Sequence, residues 1–117
     1  MSPNSNYLIP DITFSQDLSA AALSETTTIA RPFKLNKIIF KASVNITETI
    51  TITLDSSKGA AYDTVLKKVT LIGQQDFVFT PEGQAEFQSG DELKIQCTNA
   101  NTTGTISGII KCKELHN

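Results

Sequence analysis

The feature that most constrains the fold is an alternation of apolar and threonine side chains between residues 46 and 54, which only Glu48 interrupts. Successive side chains of an extended strand point to opposite faces, so the two sets fall on opposite sides. One side holds Ile46, Ile50, Ile52 and Leu54, and the other holds Thr47, Thr49, Thr51 and Thr53. β-Branched residues are poor helix formers and pack well on a pleated surface. The pattern therefore predicts a β-strand with one buried and one solvated face.

Most other apolar residues recur in similar short runs, separated by Gly, Pro, Asn or Asp. Roughly eight short strands at such spacing are typical of an antiparallel sandwich or jelly roll. We therefore predict an all-β, jelly-roll-like β-sandwich of about eight strands with an extended N-terminal arm. The predicted strands are residues 23–31, 33–44, 46–54, 62–72, 77–80, 93–97 and 106–113, with a brief edge segment near residues 85–87.

Some joints between these strands stay open at this point. Residues 17–22 permit a helical turn, and residues 60–68 permit a helix by spacing, although β-branching favours a strand. Asn45 is either a tight turn between two strands or part of one bent, continuous strand. The parity slip at residues 36–37 predicts a bulge, and residues 73–76 are predicted to turn the chain.

Composition limits the classes of function. The chain has 117 residues, of which 39% are hydrophobic and 19% charged. This length and composition predict one folded domain with a hydrophobic core. Its ten basic residues are scattered and outnumbered by twelve acidic ones, which argues against a nucleic-acid partner. No apolar run approaches the roughly 20 residues that span a bilayer, and the first residues lack a secretory pattern. We therefore expect no membrane partner and a protein that is made and kept in a cytoplasm.

Residues 1–16 are predicted to form an arm, and residues 17–117 the sandwich domain. Pro3 and Pro10 resist regular structure, yet the arm is too apolar to be left in water. Such a segment either covers an edge of its own sheet or reaches a neighbouring subunit. The candidate partner-binding residues are Tyr7, Leu8, Ile9, Ile12 and Phe14.

The sequence offers no constellation for catalysis, so we do not expect an enzyme, and no cofactor is predicted. His116 is the only histidine and is the penultimate residue. Cys97 and Cys112 share the parity of apolar neighbours, which predicts buried, free thiols. If the last two strands pair as a hairpin around residues 101–102, the two cysteines lie too far apart for a disulfide.

Loop carboxylates are the remaining candidates for chemistry. Asp55, Asp63 and the pair Asp91 and Glu92 lie at or near predicted loops, where sandwich proteins sometimes bind calcium. No EF-hand-like spacing is present, so we interpret them as turn residues that hold backbone groups, and no metal site is predicted.

Two surface features bear on binding. Carbohydrate-binding faces stack sugars on exposed aromatic rings, and this chain has no Trp and only Tyr7 and Tyr62. The threonine-rich faces predict a flat, neutral sheet surface, which is either simply solvated or rests against another subunit at low desolvation cost.

Four runs in the chain carry a resemblance to a protein family: ITITLD at 50–55, GAAYDTVL at 59–66, FVFTPE at 77–82 and FQSGDELKI at 87–95. In these runs the chain resembles small sandwich proteins of tailed-phage virions. The resemblance implies an accessory structural protein of the virion, namely a capsid-decorating subunit, commonly a homotrimer, that docks on the major capsid protein. The alternative is a carbohydrate- or receptor-binding module, such as the tip domain of a phage fibre.

Overall fold

The chain folds into antiparallel β-strands, which confirms the predicted all-β class. The computed structural model describes residues 11–28, 31–81 and 86–114. Within these residues no helix is long or apolar enough to cross a membrane. The described residues form seven strands and one 3₁₀ turn: β1 (Ile12–Asp17), β2 (Leu23–Thr28), β3 (Phe33–Asp55), the 3₁₀ turn (Ala60–Tyr62), β4 (Thr64–Phe79), β5 (Glu86–Phe87), β6 (Glu92–Cys97) and β7 (Thr105–Glu114).

The 23-residue strand β3 is the centre of the fold. On one side, its first half pairs with β7 and its second half pairs with β6. On the other side, β4 pairs along most of its length, and β5 adds a short pairing at Phe33 and Lys34. The outer strands β1 and β2 extend β7 and β6, respectively. Each strand therefore pairs with β3 directly or is joined to it through one intermediate strand.

β3 and β4 bend together in the middle, where their register shifts between Lys41 and Ile46 and again before Glu48. The bend brings the two ends of β3 to the same segment of chain. Phe87 pairs with Phe33 at the start of β3, while the neighbouring Asp91 accepts a hydrogen bond from the Ser57 backbone just after its end. The strands therefore pass from one layer of a sandwich to the other.

We name the layers by their strands. The first layer contains β1, β7, the first half of β3 and the second half of β4, and the second layer contains β2, β6 and the remaining halves of β3 and β4. One apolar core lies between them and includes Phe40, Ile50, Ile52, Ile95 and Ile110, each no more than 1% exposed. The alternation at residues 46–54 contributes its apolar side to this core, as predicted.

An aromatic row crosses the inner face of the first layer. The Phe40 ring lies 5.8 Å from Phe14 of β1 and 5.9 Å from Phe77 of β4, between ring centroids. Gly108 of β7 lies between Phe14 and Phe40 in the register of the sheet. A Cβ atom on Gly108 would lie 2.1 Å from the Phe14 ring, so the absence of a side chain there lets the rings meet.

The structure resolves several of the open joints. Asn45 lies inside one bent strand and not in a hairpin turn. The bulge near residues 36–37 is confirmed by a register shift between Leu35 and Lys37. Residues 17–20 make a turn after β1, with the Ala20 backbone donating to the Asp17 carbonyl. The strand predicted at residues 62–72 is confirmed from Thr64 onwards, after a single 3₁₀ turn.

The described residues differ from the sequence-based interpretation in three places. Residues 73–76 do not end a strand, because Gly73 takes a positive φ of 59° within β4 and the chain continues to pair with β3. The strands β6 and β7 do not form a hairpin in the described residues, because β3 lies between them in the strand order. The strand predicted at residues 23–31 is confirmed over Leu23–Thr28, residues 29–30 lie outside the described residues, and Arg31 is not part of a strand.

Candidate interaction surface

The predicted arm is shorter than the sequence suggested, because residues 12–16 belong to the sandwich. Ile12 and Phe14 lie on β1, which pairs with β7 of the same chain. Phe14 is only 6% exposed, so it is a core residue and not a contact for another subunit. For residues 12–16, the arm therefore covers an edge of its own sheet. Tyr7, Leu8 and Ile9 lie outside the described residues.

The buried carboxylate of Glu48 anchors the loop that connects β6 to β7. Its oxygens accept hydrogen bonds from the Thr98 hydroxyl at 2.7 Å and from the backbone N–H groups of Ala100 at 2.9 Å and Asn101 at 2.8 Å. Burial by itself would raise the pKa of Glu48, but these hydrogen bonds together lower the pKa below its usual value. The carboxylate is therefore engaged in structure, at the bend of β3.

The carboxylate of Asp91 likewise holds backbone groups, in the segment just after the end of β3 and in the turn before β6. It accepts hydrogen bonds from the backbone N–H groups of Ser57 at 2.9 Å and Gln88 at 2.8 Å. Burial acts to raise the pKa of Asp91, and these bonds lower it below its usual value. Asp63 likewise accepts a bond from the Ser56 backbone at 2.8 Å. Both side chains thus hold backbone N–H groups. This agrees with the interpretation of Asp63 and Asp91 as turn residues.

Asp55 and the two cysteines also have surroundings that fit a structural role. Asp55 forms a 2.9 Å ion pair with Lys94, whose hydrogen bond lowers the pKa of Asp55. Cys97 and Cys112 are free thiols, and of the two predicted to be buried, Cys97 is buried and Cys112 is only partly buried. Burial raises the pKa of Cys97 to about 11 and that of Cys112 to about 12. Among the described residues, no three His, Cys, Asp or Glu side chains are grouped so that they could hold a metal ion.

The clearest candidate surface is the outer edge of β4, which we call the β4 edge (residues 64–79). Within the described residues β4 pairs only with β3, so its other edge presents unpaired backbone groups over much of its 16-residue length. Three large apolar side chains on this strand are exposed: Val65 at 59%, Ile72 at 73% and Val78 at 52%. A long edge with exposed apolar residues is a surface that favours pairing with another chain.

A cleft opens beside the β4 edge, where the two layers meet. Leu66 and Lys67 line the second-layer side, and Phe77, Val78 and Phe79 line the first-layer side together with Pro81. Leu66 and Phe77 pack on the core but are only partly buried. The core is therefore incompletely covered at this side of the sandwich.

The outer face of the first layer carries an apolar row that ends at the β4 edge. Ile109 of β7, Ile39 of β3 and Val78 of β4 occupy directly opposed positions on three neighbouring strands. Their inward neighbours are Ile110, Phe40 and Phe79, so alternation along each strand directs the three toward solvent. The row brings an apolar strip from the sheet face to the open edge.

Sequence reasoning missed this surface, although part of the signal was present. Phe77 and Phe79 share one parity, which leaves Val78 on the opposite face, and the same reasoning applies to Ile39 beside Ile38 and Phe40. The strand that carries Val78 was not expected to be an edge. That position follows from pairing between distant segments, which periodicity does not report.

The comparisons with known proteins bear on the fold alone. No family model matches the chain, and no curated protein matches it either. Among solved structures, it is similar to that of PirA, with 10% sequence identity and a TM-score of 0.54, over 92% of this chain and 99% of that one. It is also similar to the Drosophila NLP core, with 9% identity and a TM-score of 0.48, over 91% and 100% of the two chains. The similarity to PirA supports the all-β architecture.

Proposed function

We propose that the protein is a non-catalytic structural subunit, which self-associates and docks on a larger assembly through the β4 edge. The observation that carries the proposal is the combination of a 16-residue edge strand with three exposed large apolar side chains. Soluble proteins usually shorten, charge or cover such edges, because an open edge recruits other strands. An edge left both long and apolar favours a binding function.

The buried polar groups fit a structural protein. Among the described residues two charged side chains are buried, Glu48 and Asp91, and both accept hydrogen bonds from backbone N–H groups of loops. General acid–base and nucleophilic catalysis use groups whose partners activate them for proton transfer or attack. The high pKa of Cys97 keeps that thiol protonated and weakly nucleophilic near pH 7.

The virion of a tailed phage is the setting that we propose for this subunit. Support comes from the resemblance of the four sequence runs to small virion proteins. Each of the four runs overlaps β3, β4 or β6. The partner in that setting is the major capsid protein. Neighbouring genes test the setting directly, since a major capsid gene beside this one supports it. Purified particles that lack the protein would contradict it.

The experiment for self-association compares two matched variants by size-exclusion chromatography with light scattering. Val78→Lys places a charge on the β4 edge, and Val44→Lys makes the same change at a 43% exposed valine outside this edge. We expect the wild-type protein and Val44→Lys to form oligomers, and Val78→Lys to shift toward the 12.7 kDa monomer. A wild-type protein that is monomeric and does not bind capsids would refute the proposal.

One observation favours a second function, a carbohydrate- or receptor-binding module such as a fibre tip domain. Tyr62 is 63% exposed on the 3₁₀ turn between β3 and β4, where its ring could stack on a sugar. Glycan-array binding that is lost in Tyr62→Ala and retained in Tyr62→Phe would support this function. A wild-type protein that binds no glycan on the array would count against it.

A further inference from the structure

The charges on β4 are arranged in opposite halves of the strand. Lys68 lies four residues before Ile72, and Asp76 lies four residues after it. Lys68 pairs in register with Thr51, and Asp76 with Lys41, both of which project from the outer side of the sandwich. Both side chains are exposed, and neither forms an ion pair in the described part of the chain. The β4 edge is thus basic on one side of Ile72 and acidic on the other.

Ile72 itself is the most exposed of the large apolar residues described, at 73%. It lies in the bulge of β4, where neither Ile72 nor Gly73 has a register partner on β3. The Ile72 backbone N–H makes a long contact of 3.5 Å with the side-chain oxygen of Gln74, its own neighbour two residues on. This donor is therefore only weakly satisfied, at the centre of the charge pattern.

We propose that two copies of the chain associate by antiparallel pairing of their β4 edges about a two-fold axis at Ile72. This inference rests on the proposed function and specifies the partner of the same edge. In this arrangement Ile72 faces Ile72 of the second copy as a hydrogen-bonded pair, in which each backbone N–H donates to the other carbonyl. Lys68 then faces Asp76 of the second copy, and the symmetry repeats this ion pair.

The bend of β4 is compatible with this symmetry. A two-fold axis perpendicular to the sheet keeps the concave sides of both strands facing the same way. The second half of β4, in the first layer, then pairs with the first half of β4 in the second copy. Thr70 faces Gln74 across the interface, so polar side chains separate the central isoleucines from the ion pairs. Opposite charges therefore meet in this register, and like charges do not.

The pairing predicts a dimer of twice the 12.7 kDa chain mass, whereas the homotrimer implied by the sequence resemblance would have three times that mass. A three-fold axis cannot place two β4 edges opposite each other in this way, because a two-fold pairing is closed by two copies. Solution mass of the wild-type protein therefore distinguishes the two arrangements at once.

Charge reversal with rescue tests the register. Lys68→Asp and Asp76→Lys each place like charges opposite one another twice in the dimer, so each single variant should weaken dimerisation about tenfold or more at low salt. The double variant Lys68→Asp/Asp76→Lys restores both pairs, and its dissociation constant should return close to that of the wild type. Lys113→Asp is the matched control, because it reverses an exposed lysine on β7. Analytical ultracentrifugation measures all four, and circular dichroism checks that each variant is folded.

The outcomes separate this inference from the proposed function. Single reversals without effect, a double variant that is no tighter than the singles, or a trimeric wild type would each overturn the two-fold pairing. If Val78→Lys still dissociates the protein in those cases, self-association through the β4 edge stands and only the register is wrong. A monomeric wild type would overturn the pairing in any case.

Discussion

The two sides of β3 differ in how far the sheet continues beyond them. On the side of β6 and β7, two further strands follow, and the inward residues Leu93, Ile95 and Ile110 are completely buried. On the side of β4, no further strand follows among the described residues. Only Leu71 and Phe79 of that strand are buried, with exposures of 1% and 8%. We call these the closed side and the open side of β3.

The difference between the two sides indicates that the closed side determines the stability of the fold and the open side determines association with other chains. The strands of the closed side are apolar on one face and mostly polar on the other, as expected for strands that bury one face within their own chain. The open side breaks this rule, because β4 carries Leu71 inward and Val65, Ile72 and Val78 outward. A strand with apolar residues on both faces can satisfy the second face only outside its own chain. Substitutions should therefore affect folding on one side and assembly on the other.

The largest expected effect is the loss of Phe40, at the centre of the aromatic row. Its ring is 1% exposed and contacts Phe14 and Phe77. Phe40→Ala should lower the free energy of unfolding by about 4 kcal/mol, because it removes buried apolar area and leaves a cavity. Val78→Ala on the open side should lower it by less than about 0.5 kcal/mol. Urea denaturation measures both, and similar losses in the two variants would contradict the comparison.

Next in size is the loss of the Glu48 carboxylate at the bend of β3. Glu48→Ala leaves the Ala100 and Asn101 N–H groups and the Thr98 hydroxyl without their acceptor. We expect a loss of about 3 kcal/mol at pH 7, since three hydrogen bonds to a charged acceptor are lost together. Glu48→Gln retains one acceptor oxygen and should lose less. Equal stability of Glu48→Ala and the wild type would show that water replaces the carboxylate freely.

The pH dependence of this effect has a definite sign. The pKa of Glu48 in the folded protein is lowered from its ordinary value of 4.5, so the folded state holds the proton less tightly than the unfolded state. The contribution of the carboxylate is therefore complete above pH 4.5 and is lost as the pH falls through the lowered pKa. The difference in stability between the wild type and Glu48→Ala should narrow in acid. A difference in the free energy of unfolding that stays constant from pH 7 to pH 3 would contradict this role of the carboxylate.

Local pattern was sufficient to predict the fold class and most of the core face. Alternation at residues 46–54 identified which side of the second half of β3 is buried, and parity identified Cys97 as a core residue. Pattern was also sufficient to favour a strand over a helix after Tyr62. These features depend on neighbours in sequence, which is the information that periodicity contains.

Pairing between distant segments could not be predicted in this way. Gly73 at the start of residues 73–76 has turn chemistry, but the pairing of Phe77 with Phe40 and of Asp76 with Lys41 continues the strand past it. Glu48 interrupts an apolar face, and its role depends on a loop about 50 residues further along the chain. The β4 edge is defined by what does not pair with it, and a single sequence carries no signal for that.

A smaller effect on the closed side is expected at Gly108. A Cβ atom there would lie within 2.1 to 2.7 Å of three atoms of the Phe14 ring, so Gly108→Ala must displace that ring. We expect a loss of about 2 kcal/mol from this overpacking. Phe14→Leu shortens the obstructing side chain, so the double variant should lose less than the sum of the two single variants. Additive losses in thermal or urea unfolding would show that the ring is not the obstacle.

The last prediction concerns the accessibility of a buried thiol and involves no change in stability. Cys97 is 1% exposed on the closed side, and burial raises its pKa to about 11 from an ordinary value of 9.0. A shift of this size reduces the reactive thiolate about 100-fold, so native Cys97 should react slowly with iodoacetamide at pH 8. Val78→Cys, at a position 52% exposed on the open side, supplies the matched fast thiol. Peptide mass spectrometry assigns each modification, and rapid labelling of native Cys97 would show that the closed side opens to solvent far more often than its packing implies.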